Sequence, residues 1–279
     1  MKNLLIGLHL VIGFMIANPS HGLSQITNVS EFYQNRNVDA ELWLNGKIID
    51  LPNFKIGQPQ KKIAVLYSHG TSNSFHGTGC KAPPKPEQWP RVMSFLKTKA
   101  IGNKNFLIFY LCSHSSEDNQ TLGTLHIKRA EEIALAVRFI TAHGIQSENI
   151  VIAGQSWGGW SSLYYAGKYK PKTLAILTFA PGIFGQEWYK SEQFSIIEED
   201  IELFKKTNIE GLLFSHPRDY FFPTDPYHKF VSDVNGLTLV PDIHCSNVSD
   251  FWRHAYMFQK CSEKYNEFIF QYIKGRLQK

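Results

Sequence analysis

The stretch VIAGQSWGGW, Val151 to Trp160, decides the reading of this chain. A strand-like apolar run ends in it and a helix-like run opens from it. Between them, Gly154-Gln155-Ser156-Trp157-Gly158 sets a serine at the corner. The pattern G-x-S-x-G is short enough to arise by chance, so its setting carries the weight: strand before and helix after is the context of a nucleophile elbow. Lifting Ser156 Oγ clear of a sheet demands an unfavourable backbone conformation that brings strand and helix close together. A Cβ at 154 or 158 would then collide with its surroundings. A helix beginning at Trp157 also directs backbone N–H groups and its positive end toward the place where an oxyanion would form.

Outward from this corner, strand-like and helix-like segments alternate, the pattern of a parallel sheet covered on both faces. KIAVLYSHG (62–70), NFLIFYLCS (105–113), NIVIAG (149–154), TLAILTFA (173–180), GLLFSH (211–216) and GLTLVPDIH (236–244) are near-continuous apolar runs of the kind that suits buried strands. Ahead of them AELWLNGKIID reads as an antiparallel hairpin turning at Asn45-Gly46. In LHIKRAEEIALAVRFITAH the positions Ala130, Ile133, Ala134, Val137 and Ile140 or Thr141 recur at helical spacing, with Lys128, Arg129, Glu131, Glu132 and Arg138 mostly elsewhere on the wheel. The segment from Ser249 repeats this logic through Phe251, Ala255, Phe258, Tyr265, Phe268, Ile269 and Tyr272, with Gly275 as its expected stop. Thr71 to Pro90 is a glycine- and proline-rich loop after a strand, where binding loops gather. Pro181 to Glu210 has room for a short helix or two but not for a large lid domain.

From Lys62 to the C-terminus the order of these features resembles the α/β-hydrolase superfamily, nearest to its dienelactone-hydrolase-like and small serine esterase members: a strand ending in Ser68-His69-Gly70-Thr71, then the elbow, then an acid and a histidine after later strands. The resemblance implies an α/β-hydrolase fold, a mostly parallel central sheet with helices on both faces. It also implies a Ser-His-Asp triad and an oxyanion hole built from the backbone N–H groups of Thr71 and Trp157. Ser156 would be the nucleophile, needing a base and an orienting acid because a hydroxyl is weakly nucleophilic at neutral pH. Asp219 and Asp225 both follow the GLLFSH run; Asp219, nearer the strand end, is the expected acid, and Asp225 otherwise reads as a turn former. His244 is the expected base. His254 reads as a packing residue inside the final helix, and His69 as a hydrogen-bonding support beneath the site.

The remaining features bound the setting. Residues 1–22 read as a signal peptide: Lys2, the apolar run Leu4 to Ala17, a breaker and small residues before Leu23. That run is shorter than the roughly 20 residues that span a bilayer. The expectation is a secreted or periplasmic protein, one domain over 23–279, without a stable membrane anchor after cleavage. An oxidising compartment favours disulfides, and the preferred pairing of the four cysteines is Cys80–Cys112 with Cys245–Cys261. No CxxC or HExxH spacing points to a metal, and no cofactor is implied. A formal net charge of +5, scattered rather than striped, gives nucleic-acid binding little support. The expected partner is a small-molecule or lipid-like ester, with Phe75, Trp157, Trp160, Trp188, Tyr220, Phe221 and Phe222 as candidate cleft residues. The same triad serves a peptidase or amidase, and a non-catalytic binding protein on this scaffold is the reading of a different kind. Oligomeric state has no sequence signal here.

Overall fold

Continuous apolar runs ask for burial on both sides of a sheet, and six of them become its parallel strands. A computed structural model of the chain describes residues 40–44, 47–49, 54–70, 90–113, 125–182, 194–219, 224–240 and 253–279. The strands are β1 (Ala40–Leu44), β2 (Lys47–Ile48), β3 (Lys62–Ser68), β4 (Ala100–Ile101), β5 (Lys104–Ser113), β6 (Ile150–Gln155), β7 (Ala175–Phe179), β8 (Gly211–Phe214) and β9 (Leu237–Val240). They form one nine-stranded sheet in the order β2-β1-β5-β3-β6-β7-β8-β9, with β4 paired to β5. From β5 to β9 every neighbour pair is parallel. β1 joins β5 antiparallel, and in the β1–β2 ladder Leu44 faces Lys47, with the expected turn pair Asn45-Gly46 between them in sequence.

The helices are α1 (Arg91–Lys97), α2 (Leu125–Ala142), α3 (Trp157–Tyr169), α4 (Phe194–Lys205), α5 (Thr224–Asp233) and α6 (Asn266–Leu277). Because side chains alternate along a strand, each central strand feeds two separate cores. Ala64, Leu66, Ile150, Ile152, Ile176 and Leu213 pack with α2, α3, α4 and α5. Their neighbours Ile63, Val65, Val151, Ala153, Leu177 and Leu212 pack with α1, α6 and the short helical turns before it. The carboxyl ends of β3, β6 and β8 therefore emerge at one rim, the place where open α/β sheets bind ligands.

Two sequence readings are corrected here. The final helix is not continuous from Ser249: His254 ends a helical turn, the chain then passes through 3-10 turns at Tyr256–Phe258 and Lys260–Tyr265, and α6 starts only at Asn266 and runs past Gly275. Phe258, Tyr265, Ile269 and Tyr272 of the expected stripe pack on the sheet face, whereas Phe268 is exposed. In α2, Arg129 and Glu132 do not face solvent; both are fully buried. The sheet and α3 cover these two positions, while Glu131 is exposed and Lys128 and Arg138 are partly so.

Candidate active site

β6 ends at Gln155 and α3 begins at Trp157, so Ser156 alone makes the corner. Its backbone sits at φ 52°, ψ −122°, a conformation that costs a non-glycine residue about 1–3 kcal/mol and persists only where the surroundings impose it. Here they do. The Ser156 N–H donates to Phe179 O at 3.0 Å, and Ser156 O accepts from Trp160 N–H at 3.0 Å and Gly182 N–H at 3.2 Å. The flanking glycines are needed for the expected reason: a Cβ on Gly154 would fall on the Gly158 carbonyl, and one on Gly158 would fall on the carbonyls of Ser68 and His69. Strand β3 thus runs hard against the start of α3. Trp157 is buried in the first turn of this 13-residue helix, whose N-terminal amides and dipole favour negative charge.

Beside the corner lies a carboxylate and imidazole pair. Asp219 follows β8 after a short turn in which its own N–H donates to His216 O at 3.0 Å and Arg218 N–H donates to His216 Nδ1 at 3.0 Å. Its Oδ2 is 2.8 Å from Nδ1 of His254. Both residues are buried, with 2% and 7% exposure, so the pair is shielded from water and its interaction is stronger than at a surface. The backbone of His254 is held from the elbow itself, because Gln155 Nε2 donates to His254 O at 3.3 Å. The residue next to Ser156 therefore grips the residue that carries the imidazole. Tyr256 completes the wall: burial first, and then the negative charge of Asp219, push its phenol well above the ordinary tyrosine range, so it stays neutral.

The sequence-derived residues distribute as follows. Ser156, Gly154, Gly158, Trp157 and Asp219 lie at one rim of the sheet. Asp225 falls within α5. His69 has a supporting role: Ser113 N–H donates to its Nε2 at 3.0 Å, its Nδ1 bonds Gly70 O, and its ring stacks on Tyr110 at 5.8 Å. His244 and Thr71 lie outside the described residues, as do Phe75, Trp188, Tyr220, Phe221, Phe222 and the signal-peptide region 1–22. The imidazole on the acid is His254, which replaces the packing role read for it. Its turn ends before the final helix begins, and this frees the ring to face Asp219. Trp160 packs inward, its Nε1 donating to Asp200 at 2.6 Å. Cys112 and Cys261 each take part in a disulfide; Cys80 and Cys245, on which the expected pairing rests, lie outside the described residues.

Among the described residues no group of three or more His, Cys, Asp or Glu side chains is placed to hold a metal ion, and no helix is long and apolar enough to cross a membrane. No protein-family model matches the chain, and no curated protein does. Solved structures match its fold. Est1E from Butyrivibrio proteoclasticus with ferulic acid bound superposes with a TM-score of 0.52 at 14% identity, over 84% of this chain and 95% of that one. The propionate-bound esterase Est2 from Thermogutta terrifontis gives 0.51 at 14% identity, over 85% and 92%. The same organism's esterase 2 phosphorylated by paraoxon gives 0.50 at 14% identity, over 84% and 90%.

Proposed function

Because the chain has the α/β-hydrolase fold, with a strained serine and a buried His–Asp pair at one rim of its sheet, we propose that it is a serine hydrolase that cleaves carboxylic esters. The observation that carries this reading is the link from the elbow to the pair: Gln155 holds His254, His254 holds Asp219, and Ser156 stands next in the chain. The esterases among its structural neighbours, one of them phosphorylated by paraoxon, support the ester class.

In this mechanism Ser156 Oγ attacks the ester carbonyl while His254 takes its proton. With Nδ1 engaged by Asp219, the proton transfer runs through Nε2. Asp219 fixes the tautomer and stabilises the imidazolium that forms. The carbonyl oxygen becomes an oxyanion at the start of α3, where the Trp157 N–H and, after β3, the Thr71 N–H receive it; one such donor is worth about 3–4 kcal/mol to the transition state. Return of the proton to the alkoxy oxygen expels the alcohol. A water molecule, deprotonated by the same imidazole, then hydrolyses the acyl-serine and releases the acid. We further propose export through the 1–22 signal, with Cys80–Cys112 and Cys245–Cys261 closed. The second of these bonds would tether the loop before the base to the 3-10 turn that carries Cys261.

The test is labelling with a fluorophosphonate probe, run beside a panel of p-nitrophenyl esters and anilides of graded length. The expected result is covalent labelling and ester turnover in the wild type, both lost in Ser156→Ala and His254→Ala but kept in His244→Ala. A folded wild type that neither labels nor hydrolyses any ester overturns the reading.

A further inference from the structure

A residue held at an unfavourable φ stays there only while its surroundings grip it, and one short piece of chain grips Ser156 on both sides. Leaving β7, Phe179 O accepts from the Ser156 N–H at 3.0 Å, and three residues later the Gly182 N–H donates to Ser156 O at 3.2 Å. Between these two contacts the chain bends sharply. Ala180 lies at φ 42°, a left-handed conformation that is uncommon for a residue with a Cβ, and its N–H donates to Phe214 O at 2.8 Å. Pro181 has its own φ fixed by its ring and leans on the first turn of α3, where a Cβ on Gly159 would stand 3.0 Å from Pro181 Cβ. The segment 179–182 is thus a clip closed over the corner, itself bent at one strained residue.

A bend of that kind needs its own restraint, and a distant side chain supplies one. Tyr227, in α5 and 46 positions further along, is fully buried, and its hydroxyl donates to the carbonyl of Pro181. Pro181 and Gly182 are buried too, so this carbonyl requires a partner. The bonded carbonyl and the Gly182 N–H belong to one planar peptide, in which the C=O and the following N–H point in opposite directions. Fixing the oxygen on Tyr227 therefore fixes the direction of the N–H, and that N–H is the one on Ser156 O. The chain of bonds runs from the phenol through a single peptide to the serine. A donor on the carbonyl also polarises the peptide and makes its N–H a better donor in turn.

We infer that Tyr227 is a positioning residue for the nucleophile: its hydroxyl orients the Pro181–Gly182 peptide, which holds the Ser156 carbonyl and keeps the corner at φ 52°, ψ −122°. Its effect on turnover rests on the ester-hydrolase reading. Tyr227 acts only through this peptide, so what it governs is the aim of the serine rather than the binding of substrate.

Tyr227→Phe removes one oxygen atom and keeps the ring in the core, and it tests the inference in the full chain, alone and combined with Ser156→Gly. Ester hydrolysis is resolved into kcat and KM, the rate of labelling by a fluorophosphonate is measured, and every variant is unfolded in urea. The expected result is a kcat about 10- to 100-fold lower with KM within about twofold, the signature of a misplaced reacting group, and a labelling rate that falls in step. Ser156→Gly should raise the urea midpoint on the wild-type background and raise it by less than half as much beside Tyr227→Phe, because a corner freed from its clip has already relaxed. A hydroxyl that only stabilised the fold would lower the midpoint and leave both kcat and that increment alone. A folded Tyr227→Phe with kcat within about twofold of wild type overturns the inference. So does a Ser156→Gly increment that is absent from the wild-type background or undiminished beside Tyr227→Phe. If Tyr227→Phe does not fold, the same comparison is made on an Ala180→Gly background, where glycine adopts φ 42° without penalty and stabilises the bend. Failure to fold there as well assigns the hydroxyl to the fold and overturns the role. A wild type that neither labels nor hydrolyses esters removes the hydrolase reading alone, since the urea cycle needs no activity and still decides whether Tyr227 holds the corner.

Discussion

Two buried histidine and aspartate pairs stand among the described residues, and they differ in where they sit. At the rim of the sheet, His254 Nδ1 and Asp219 Oδ2 are 2.8 Å apart in hydrogen-bond alignment. Under the helices of the opposite face, His126 Nε2 and Asp200 Oδ2 are 3.0 Å apart but out of that alignment, and the same oxygen accepts from Trp160 Nε1 at 2.6 Å. The second pair joins α2, α3 and α4 and sits beneath Trp157 and Tyr164, whose rings lie 6.4 and 5.0 Å from that of His126. A carboxylate near an imidazole is therefore not a catalytic signature by itself. What sets the proposed catalytic pair apart is its position at the strand ends, linked through the Gln155 side chain to the neighbour of a residue held at positive φ.

Crossed substitutions break this comparison most strongly. His254→Ala and Asp219→Asn should each lower ester kcat by about 10,000-fold while the fold survives, because the base is lost or wrongly protonated. Asp200→Ala should do the reverse: a loss of about 3 kcal/mol in urea unfolding, since it strands the Trp160 N–H and the buried His126, with kcat/KM within a few-fold of wild type. If Asp200→Ala abolishes turnover in a protein of normal stability, the division between a chemical and a structural pair is wrong. A smaller effect probes the corner itself. Gly158→Ala places a methyl group on the carbonyls of Ser68 and His69, and backbone cannot yield cheaply, so unfolding free energy should drop by about 3 kcal/mol or more. The smallest effect sharpens the contrast between activity and stability. Ser156→Gly removes the strain of φ 52° and should raise unfolding stability by about 1 kcal/mol in the same urea assay, with all hydrolysis gone. A neutral or destabilising outcome would mean that the corner stores no strain.

Much of this architecture was legible in residue order. The six apolar runs became strands within two residues of the expected bounds wherever those bounds are described, and WGGWSSLYYAGKY became α3 from its first residue to its last. The crowding at the elbow was legible too, because it depends on local chemistry: glycine where a Cβ cannot fit. The misreadings share one cause. Periodicity reports which residues avoid water, but not what covers them, so the burial of Arg129 and Glu132 went unread, and the segment from Ser249 read as one long helix with His254 in its packing.

Residue order thus settled what is set over short range: strand and helix identity, the corner at Ser156, and the candidate acid at the end of β8. Tertiary structure decided which distant groups meet. His254 reaches Asp219 across 35 positions, and Arg129 reaches Gly70 across 59. Such meetings arise from the sheet's strand order and from packing on its two faces, and no local pattern encodes them, because the free energy that brings these groups together is spread over both cores rather than written at either residue.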